Sequence, residues 1–125
     1  MIKWLDFFKK KQIPCSVASS AEMANITSVL ELLKLSDYFT SIISGVRLSA
    51  SKPNQMIFKL AAASLSVKPK KCIVIEDAPA GIQAVKSAKM ISCALATTFS
   101  TNELKEADII LENLAHCDPE SLFTD

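Results

Sequence analysis

The pattern of apolar and polar positions along the 125 residues predicts strands and helices in alternation. Short apolar runs rich in β-branched residues indicate strands at 13–18, 41–44, 72–76, 91–97 and 108–111. Apolar residues at helical spacing indicate helices at about 2–11, 21–34 and 79–90, with another that opens near Pro53. Strands that alternate with helices of these lengths form parallel sheets with right-handed crossovers. We therefore expect an α/β fold with a three-layer, Rossmann-like parallel sheet.

Composition narrows the class of protein. Half of the residues are hydrophobic and 22% are charged, which is typical of a single domain with a substantial core, here residues 1–125. Fourteen basic and thirteen acidic side chains give a net charge of +1. No basic stripe with interleaved aromatic residues occurs, so we expect no nucleic-acid partner. The uncharged runs are too short to span a bilayer, so we expect no membrane partner.

The cysteine pattern favours a reducing compartment. The chain has four cysteines without CxxC spacing, namely Cys15, Cys72, Cys93 and Cys117. Three of them fall in predicted strands, where they fit reduced, mostly buried small hydrophobic residues. A zinc site built from them and His116 is the alternative, but it lacks the usual paired ligand spacing. The N-terminus is too short and too charged for a signal peptide, so we expect a cytoplasmic protein.

The first candidate site is an acid pair at the end of a strand. The β-branched run Ile73–Ile75 leads directly into Glu76 and Asp77, and Pro79 can open the next helix. Ionised carboxylates resist desolvation unless a cation or hydrogen-bond donors compensate them. Carboxylate oxygens are also the hard ligands that suit Mg²⁺. The alternative is that the pair merely caps the helix at residue 79.

Two further polar groups follow strands or open helices. Ser19 and Ser20 come after the strand at 13–18, where hydroxyl and amide groups could hold phosphate oxygens. Lys52 precedes Pro53 at a helix entrance, where its ammonium group could neutralise a phosphate. Either serine could instead cap the helix at 21, and Lys52 could be an ordinary surface lysine. Ligands of open parallel sheets bind beyond the carboxyl ends of the strands, which favours one shared site.

Three segments carry a resemblance to a known family. They are Val17-Ala18-Ser19-Ser20, Ser51-Lys52-Pro53 and the run from Ile75 to Ala84. Together they resemble the second, third and fourth motifs of the haloacid dehalogenase-like superfamily, in its β-phosphoglucomutase and phosphoglycolate phosphatase-like branch. The resemblance implies an HAD-like hydrolase, a Mg²⁺-dependent phosphatase or phosphomutase that acts on a small phosphorylated metabolite.

The resemblance also assigns roles to individual residues. Ser19 would bind the transferring phosphoryl group, with Ser20 beside it. Lys52 would stabilise the phosphoryl group and the nucleophile. Asp77 would ligate Mg²⁺, and Glu76 would assist in holding the metal.

The first motif of that superfamily is missing. It is an apolar strand that ends in Asp-x-Asp, whose first aspartate attacks phosphorus and whose second acts as general acid and base. No Asp-x-Asp occurs in these residues, and Asp6 lies inside an amphipathic helical pattern. The helical cap that selects the substrate is also missing. We therefore expect an incomplete core domain that holds motifs two to four: a truncated product, a split-gene half or a degenerate relative.

The missing strand has a structural consequence. It would lie between the strands that end at Ser19 and Glu76, so these two must pair directly, leave a gap or accept a strand from a second chain. One hypothesis is an enzyme with an aspartyl-phosphate intermediate that is inactive as this chain alone. The alternative is a non-catalytic module that binds phosphate, metal or a partner. A phosphoacceptor receiver domain would need a separate strand ending in an acceptor aspartate, and none is predicted.

Overall fold

The computed structural model describes residues 2–45, 55–115 and 117–122. Its helices and strands are α1 (Ile2–Lys10), β1 (Ser16–Ser19), α2 (Met23–Leu32), β2 (Ser41–Ser44), α3 (Met56–Ser64), β3 (Ile73–Glu76), α4 (Pro79–Ser87), β4 (Ile91–Leu95) and β5 (Ile109–Leu111). Short 3₁₀ helices lie at Ser36–Tyr38, Pro69–Lys71 and Pro119–Leu122. The predicted α/β class and order of elements are confirmed. The predicted helix opening at Pro53 lies outside the described residues.

The strands form two parallel sheets instead of one continuous sheet. β1 pairs with β2, whereas β3, β4 and β5 form a second sheet in that order. Ser19 is opposite Ser44 in the first sheet, and Glu76 is opposite Ala94 in the second. Among the described strands, no ladder joins β1 to β3. Of the three arrangements expected for these two strands, direct pairing is therefore excluded for the described strands.

Side chains on the two faces of the first sheet define the three layers. The Ser41 hydroxyl donates to Ser16 Oγ at 2.8 Å and lies 2.6 Å from Ser64 Oγ on α3. Because side chains alternate along a strand, Val17 and Ile42 point to the other face. There they pack against a buried cluster of α1 and α2 residues and Leu35. The first sheet therefore lies between α3 on one side and α1 and α2 on the other.

Burial differs between strands with one neighbour and strands with two. β4 lies between β3 and β5, and its residues Ser92, Cys93 and Ala94 are fully buried. The residues of β1 and β3 are all only half-buried, although Ile73–Ile75 are apolar. A strand of a parallel α/β sheet is normally covered on both faces, and β1 and β3 each have a strand neighbour on one edge only. The inner edges of β1 and β3 are thus left open within the described structure.

Two helices connect the sheets. Ala62 of α3 packs with Val85, Ala88 and Met90, which belong to α4 and the turn after it. Trp4 of α1 is 1% exposed, and its indole N–H donates to the Leu114 carbonyl at 2.8 Å, beyond β5. These contacts hold both sheets in one packed structure in spite of the missing ladder.

Each of the four α-helices in the described residues ends in a turn with one residue in the left-handed conformation. The φ angles of Gln12, Lys34, Ser66 and Lys89 lie between 57° and 62°. At the end of α4, the Met90 N–H donates to the Val85 carbonyl at 3.2 Å and the Lys89 N–H to the Lys86 carbonyl at 2.9 Å, which is a Schellman motif. This motif ends α4 at Ser87, earlier than the predicted residue 90. No helix in the described part of the chain is long and apolar enough to cross a membrane.

Replacement of Lys34 by glycine is expected to stabilise the protein. Lys34 has a φ of 59°, where a Cβ costs about 1 kcal/mol and glycine is unrestrained. Urea unfolding should show the free energy of unfolding rise by about 1 kcal/mol. Lys34→Ala, which removes the charge but keeps the Cβ, is the control and should show no such gain; an equal gain there would contradict the conformational explanation.

Candidate functional site

The Ser19 hydroxyl is anchored by the turn that follows β1. Ser19 Oγ accepts the Ala21 N–H at 3.1 Å, and the Ser19 carbonyl accepts the Gly45 N–H at 2.7 Å. A serine hydroxyl can donate one hydrogen bond in addition to those it accepts. Within the described residues nothing accepts the proton of this hydroxyl, so it is free to donate to a bound anion. The geometry therefore suits the predicted phosphate-binding role.

The helix-capping alternative for the two serines is wrong. α2 begins at Met23, and its N-cap residue is Glu22, which makes no side-chain capping hydrogen bond. The Ser19 hydroxyl instead bonds to Ala21, before the helix begins. Ser20 is exposed, which leaves its hydroxyl accessible to a ligand. The capping interpretation fails because the loop after β1 is two residues longer than the helical pattern suggested.

Ser44 is a residue of this site that the sequence did not reveal. Its hydroxyl donates to the Ala21 carbonyl at 2.5 Å. Ser44 and Ser19 therefore both make a hydrogen bond to Ala21 and together fix the turn after β1. The β1–β2 register, which places Ser44 opposite Ser19, makes this contact possible. A polar residue at the end of a predicted strand is the one sequence signal that could have indicated it.

Glu76 and Asp77 lie at the junction of β3 and α4, as predicted. Glu76 is half-buried, and its Oε1 accepts the Asp77 N–H at 3.1 Å. Burial and, after it, the neighbouring Asp77 raise the pKa of Glu76, although the N–H groups of Asp77 and Ala78 act in the opposite direction. Asp77 is exposed. A desolvated carboxylate beside a second acid is an arrangement that a bound cation would stabilise.

Gly81 makes room for the Glu76 side chain. A Cβ at this position would overlap Glu76 Cγ and Cδ and would lie 2.6 Å from Oε2. The Glu76 carboxyl group therefore rests directly on the first turn of α4, whose amino end carries a partial positive charge. Gly81 belongs to the predicted motif, but its steric role follows only from the structure. The N-cap residue of α4 is Ala78, which makes no side-chain capping hydrogen bond, whereas the Glu76 carboxyl group lies against the amino end of the helix, as the helix-end alternative for the acid pair also expects.

The donor set of the acid pair fits Mg²⁺. Mg²⁺ commonly binds to one or two carboxylates and completes its six oxygen ligands with water and phosphate. Glu76 and Asp77 provide two such carboxylates at a strand end. No group of three or more metal-ligating side chains occurs among the described residues. The remaining ligands would therefore come from water, from a phosphate or from other parts of the polypeptide.

The structure brings together only part of the predicted site. The acid pair forms one group and the serine turn another, and no hydrogen bond between described residues joins them. Lys52 lies outside the described residues. Asp6 is engaged elsewhere, since its Oδ1 accepts the Tyr38 hydroxyl at 2.6 Å, and this bond raises the pKa of Tyr38. It therefore acts as a structural side chain of α1.

Comparisons with known proteins bear on this geometry. The family model described as haloacid dehalogenase-like hydrolase matches residues 1–95. The validoxylamine A 7'-phosphate phosphatase of Streptomyces hygroscopicus is 33% identical over 106 residues, which are 85% of this chain and 50% of that protein. The beta-phosphoglucomutase of Bacillus subtilis is 42% identical over 84 residues, which are 67% of this chain and 36% of that protein.

Solved structures show the same relationship. The beta-phosphoglucomutase from Clostridium difficile superposes with a TM-score of 0.87 at 31% identity, over 98% of this chain and 52% of that one. The chain thus spans about half of the length of that structure, and half or less of the two curated relatives.

Proposed function

The chain belongs to the haloacid dehalogenase-like hydrolase family, and from that premise we propose that it forms part of a Mg²⁺-dependent phosphoryl-transfer hydrolase. The observation that carries the proposal is the acid pair Glu76–Asp77 at the β3–α4 junction, with Gly81 leaving space for the Glu76 side chain. The proposed enzyme is a phosphatase or a phosphomutase.

The proposed chemistry assigns a task to each residue. The Ser19 hydroxyl donates a hydrogen bond to a phosphoryl oxygen, and the Lys52 ammonium group offsets negative charge there. Asp77, assisted by Glu76, holds Mg²⁺, which when bound offsets the charge of the phosphoryl group. An aspartate outside these 125 residues attacks phosphorus, so that a P–O bond to the aspartate forms as the bond to the leaving oxygen breaks. Water then hydrolyses the aspartyl phosphate.

The proposed substrate is a small phosphorylated metabolite. Support comes from the names of the relatives, one of which is a phosphatase of validoxylamine A 7'-phosphate and another a beta-phosphoglucomutase. We place the protein in the cytoplasm, and the free thiols of its four cysteines support this placement. Only Cys93 is fully buried; burial and then the nearby Cys117 raise its pKa to about 11, which disfavours the reactive thiolate.

The proposal also includes a β-strand between β1 and β3 that these 125 residues do not supply. The inner edges of β1 and β3 are open, and the 125 residues contain no Asp-x-Asp. We propose that an inserted strand, from a second chain or from another part of a longer polypeptide, brings the nucleophile. The 125 residues alone would then bind phosphate and metal without turning over a substrate. The absence of Asp-x-Asp also favours the second candidate, a non-catalytic module that uses the same pocket for binding only.

Replacement of Asp77 by asparagine is expected to abolish Mg²⁺ binding. For the unmodified chain, Mg²⁺ with inorganic phosphate should raise the melting temperature, because a ligand at about ten times its dissociation constant adds about 1.4 kcal/mol of stability. Asp77→Asn should remove that rise, since asparagine lacks the charge. Asp37→Asn, which changes another exposed aspartate outside the site, is the matched control and should keep it. An unchanged rise in Asp77→Asn would contradict the proposed metal site.

Gly81→Ala adds a second variant to the same experiment. Alanine favours a helix over glycine by about 1 kcal/mol, so the variant should remain folded. Its Cβ displaces the Glu76 carboxyl group, so the response to Mg²⁺ should fall as well. A full response would show that the position of Glu76 does not matter for the metal.

A further inference from the structure

The loop between β4 and β5, residues 96–108, begins at the same edge of the second sheet as the acid pair. β3 and β4 are adjacent parallel strands, and Glu76 at the end of β3 is opposite Ala94 near the end of β4. The loop therefore leaves the sheet beside the strand that carries Glu76. Its first N–H, that of Ala96, donates to the Leu111 carbonyl of β5 at 2.8 Å, and this bond fixes where the loop starts.

Leu104 packs this loop against the start of α4. Its side chain is 1% exposed and belongs to one buried cluster with Ile82 of α4 and Ala94 of β4. Ser100 and Glu103 hold the turn before it, because Glu103 Oε1 accepts the Ser100 N–H at 3.1 Å and Ser100 Oγ accepts the Glu103 N–H at 3.2 Å. Hydrogen bonds within the loop therefore fix the position from which Leu104 contacts α4.

Lys86 is a second link between the loop and α4. Its Nζ donates to the Glu106 carbonyl at 3.0 Å and lies 3.5 Å from the Glu106 carboxylate. Lys86 follows Ile82 by four residues, so the two links lie on the same side of the helix. The loop is therefore attached to α4 at two points that are one helical turn apart.

The contact at Ile82 is directly beside the support of the Glu76 side chain. Ile82 follows Gly81, and a Cβ at Gly81 would overlap Glu76 Cγ and Cδ. Ile82 is 1% exposed, so its side chain has packed neighbours on all sides. Closely packed interiors transmit displacements. A shift of Ile82 would therefore move Gly81 and change the space that the Glu76 carboxyl group occupies.

We propose that the β4–β5 loop, through Leu104, positions the Glu76 carboxylate for the metal ion. The inference rests on the proposed function, because it concerns the same Mg²⁺ site. Leu104 is a positioning residue, since it acts through Ile82 and Gly81 of α4. Mutation of groups that orient metal ligands from outside typically lowers metal affinity by about 10- to 100-fold. Because Leu104 acts through two intervening residues, we expect the lower end of that range.

The test measures Mg²⁺ affinity by calorimetry in the presence of inorganic phosphate, at a temperature where circular dichroism shows each variant to be folded. Leu104→Ala should weaken Mg²⁺ binding about tenfold. Leu30→Ala is the matched control, because Leu30 is also buried, at 7% exposure, but lies in the separate cluster against the first sheet. Both truncations should lower the melting temperature, and only the first should change Mg²⁺ affinity. Leu104→Met, which retains the side-chain volume, should restore it.

Lys86→Ala tests the second link without a change to the core. We expect about twofold weaker Mg²⁺ binding at a nearly unchanged melting temperature, because exposed ion pairs contribute little to stability. Lys105→Ala is its control, since it removes an exposed lysine of the same loop, and the same charge, but keeps the bond between Lys86 and Glu106. It should leave Mg²⁺ binding unchanged.

The outcomes distinguish the role of the loop from the proposed function. If the unmodified chain does not bind Mg²⁺ with phosphate, the proposed function is overturned and this inference with it. If the unmodified chain binds Mg²⁺ and Leu104→Ala binds it equally well, the metal site stands and the role of the loop is overturned. Equal weakening by Leu104→Ala and Leu30→Ala would also overturn it, because the effect would then follow from lost stability alone.

Discussion

Trp4→Ala is expected to lower the free energy of unfolding by about 3–5 kcal/mol, the range found when a buried tryptophan or phenylalanine is truncated. Trp4 is 1% exposed and is among the largest fully buried side chains of the described structure. Its ring packs edge-to-face on Phe8, with centroids 6.1 Å apart. The indole N–H also donates to the Leu114 carbonyl at 2.8 Å. The truncation therefore leaves a cavity and an unpaired Leu114 carbonyl where α1 contacts the segment after β5.

Two control variants separate the contribution of the buried ring to stability from that of its N–H donor and from the effect of an exposed neighbour. Trp4→Phe retains most of the ring volume but removes the N–H donor, so we expect a loss of about 1–2 kcal/mol. Lys3→Ala removes an exposed side chain that reaches the Ala115 carbonyl at 3.4 Å, and should cost less than about 0.5 kcal/mol. Trp4 is the one tryptophan of the chain, so unfolding must be followed by circular dichroism. A loss below about 1 kcal/mol for Trp4→Ala would show that α1 does not couple the two sheets.

The local pattern of apolar and polar residues was sufficient to predict the order of the helices and strands. The β-branched run before Glu76 predicts a strand, and Pro79 predicts the start of the next helix; both are confirmed. The helix ends were less predictable, because the left-handed terminal positions carry lysine, serine or glutamine instead of the usual glycine. A sequence pattern that relies on glycine to end a helix therefore extends α4 too far.

The acid pair was predictable for the same local reason, since its two residues are adjacent and directly follow a strand. Contacts between segments that are distant in the sequence were not predictable in this way. The Ser44 hydrogen bond to Ala21 depends on the β1–β2 register, and the contact between α3 and α4 depends on the packing of Ala62. Two of the three expected arrangements leave β1 and β3 unpaired with each other, and the structure excludes the third, direct pairing, among the described strands.

Insertion of a strand between β1 and β3 should raise the turnover of p-nitrophenyl phosphate by about 10³-fold over the chain alone, since a missing nucleophile removes most of the chemical acceleration. The probe is an extended peptide of about five apolar residues followed by Asp-x-Asp, added with Mg²⁺. Such a strand would form ladders with the open inner edges of β1 and β3. It would also bury the half-exposed apolar residues of both strands, so the melting temperature should rise as well.

Matched peptides distinguish insertion from catalysis. With asparagine in place of the first aspartate, the peptide should still raise the melting temperature but give no turnover, because the ladder needs only the backbone. With proline at its centre, it should do neither, since proline cannot donate to a ladder. Asp77→Asn should lose turnover with the intact peptide while keeping the rise in melting temperature. If the intact peptide stabilises the protein without turnover, the binding module is favoured over the enzyme; if it does not stabilise the protein, β1 and β3 do not form a strand-accepting cleft.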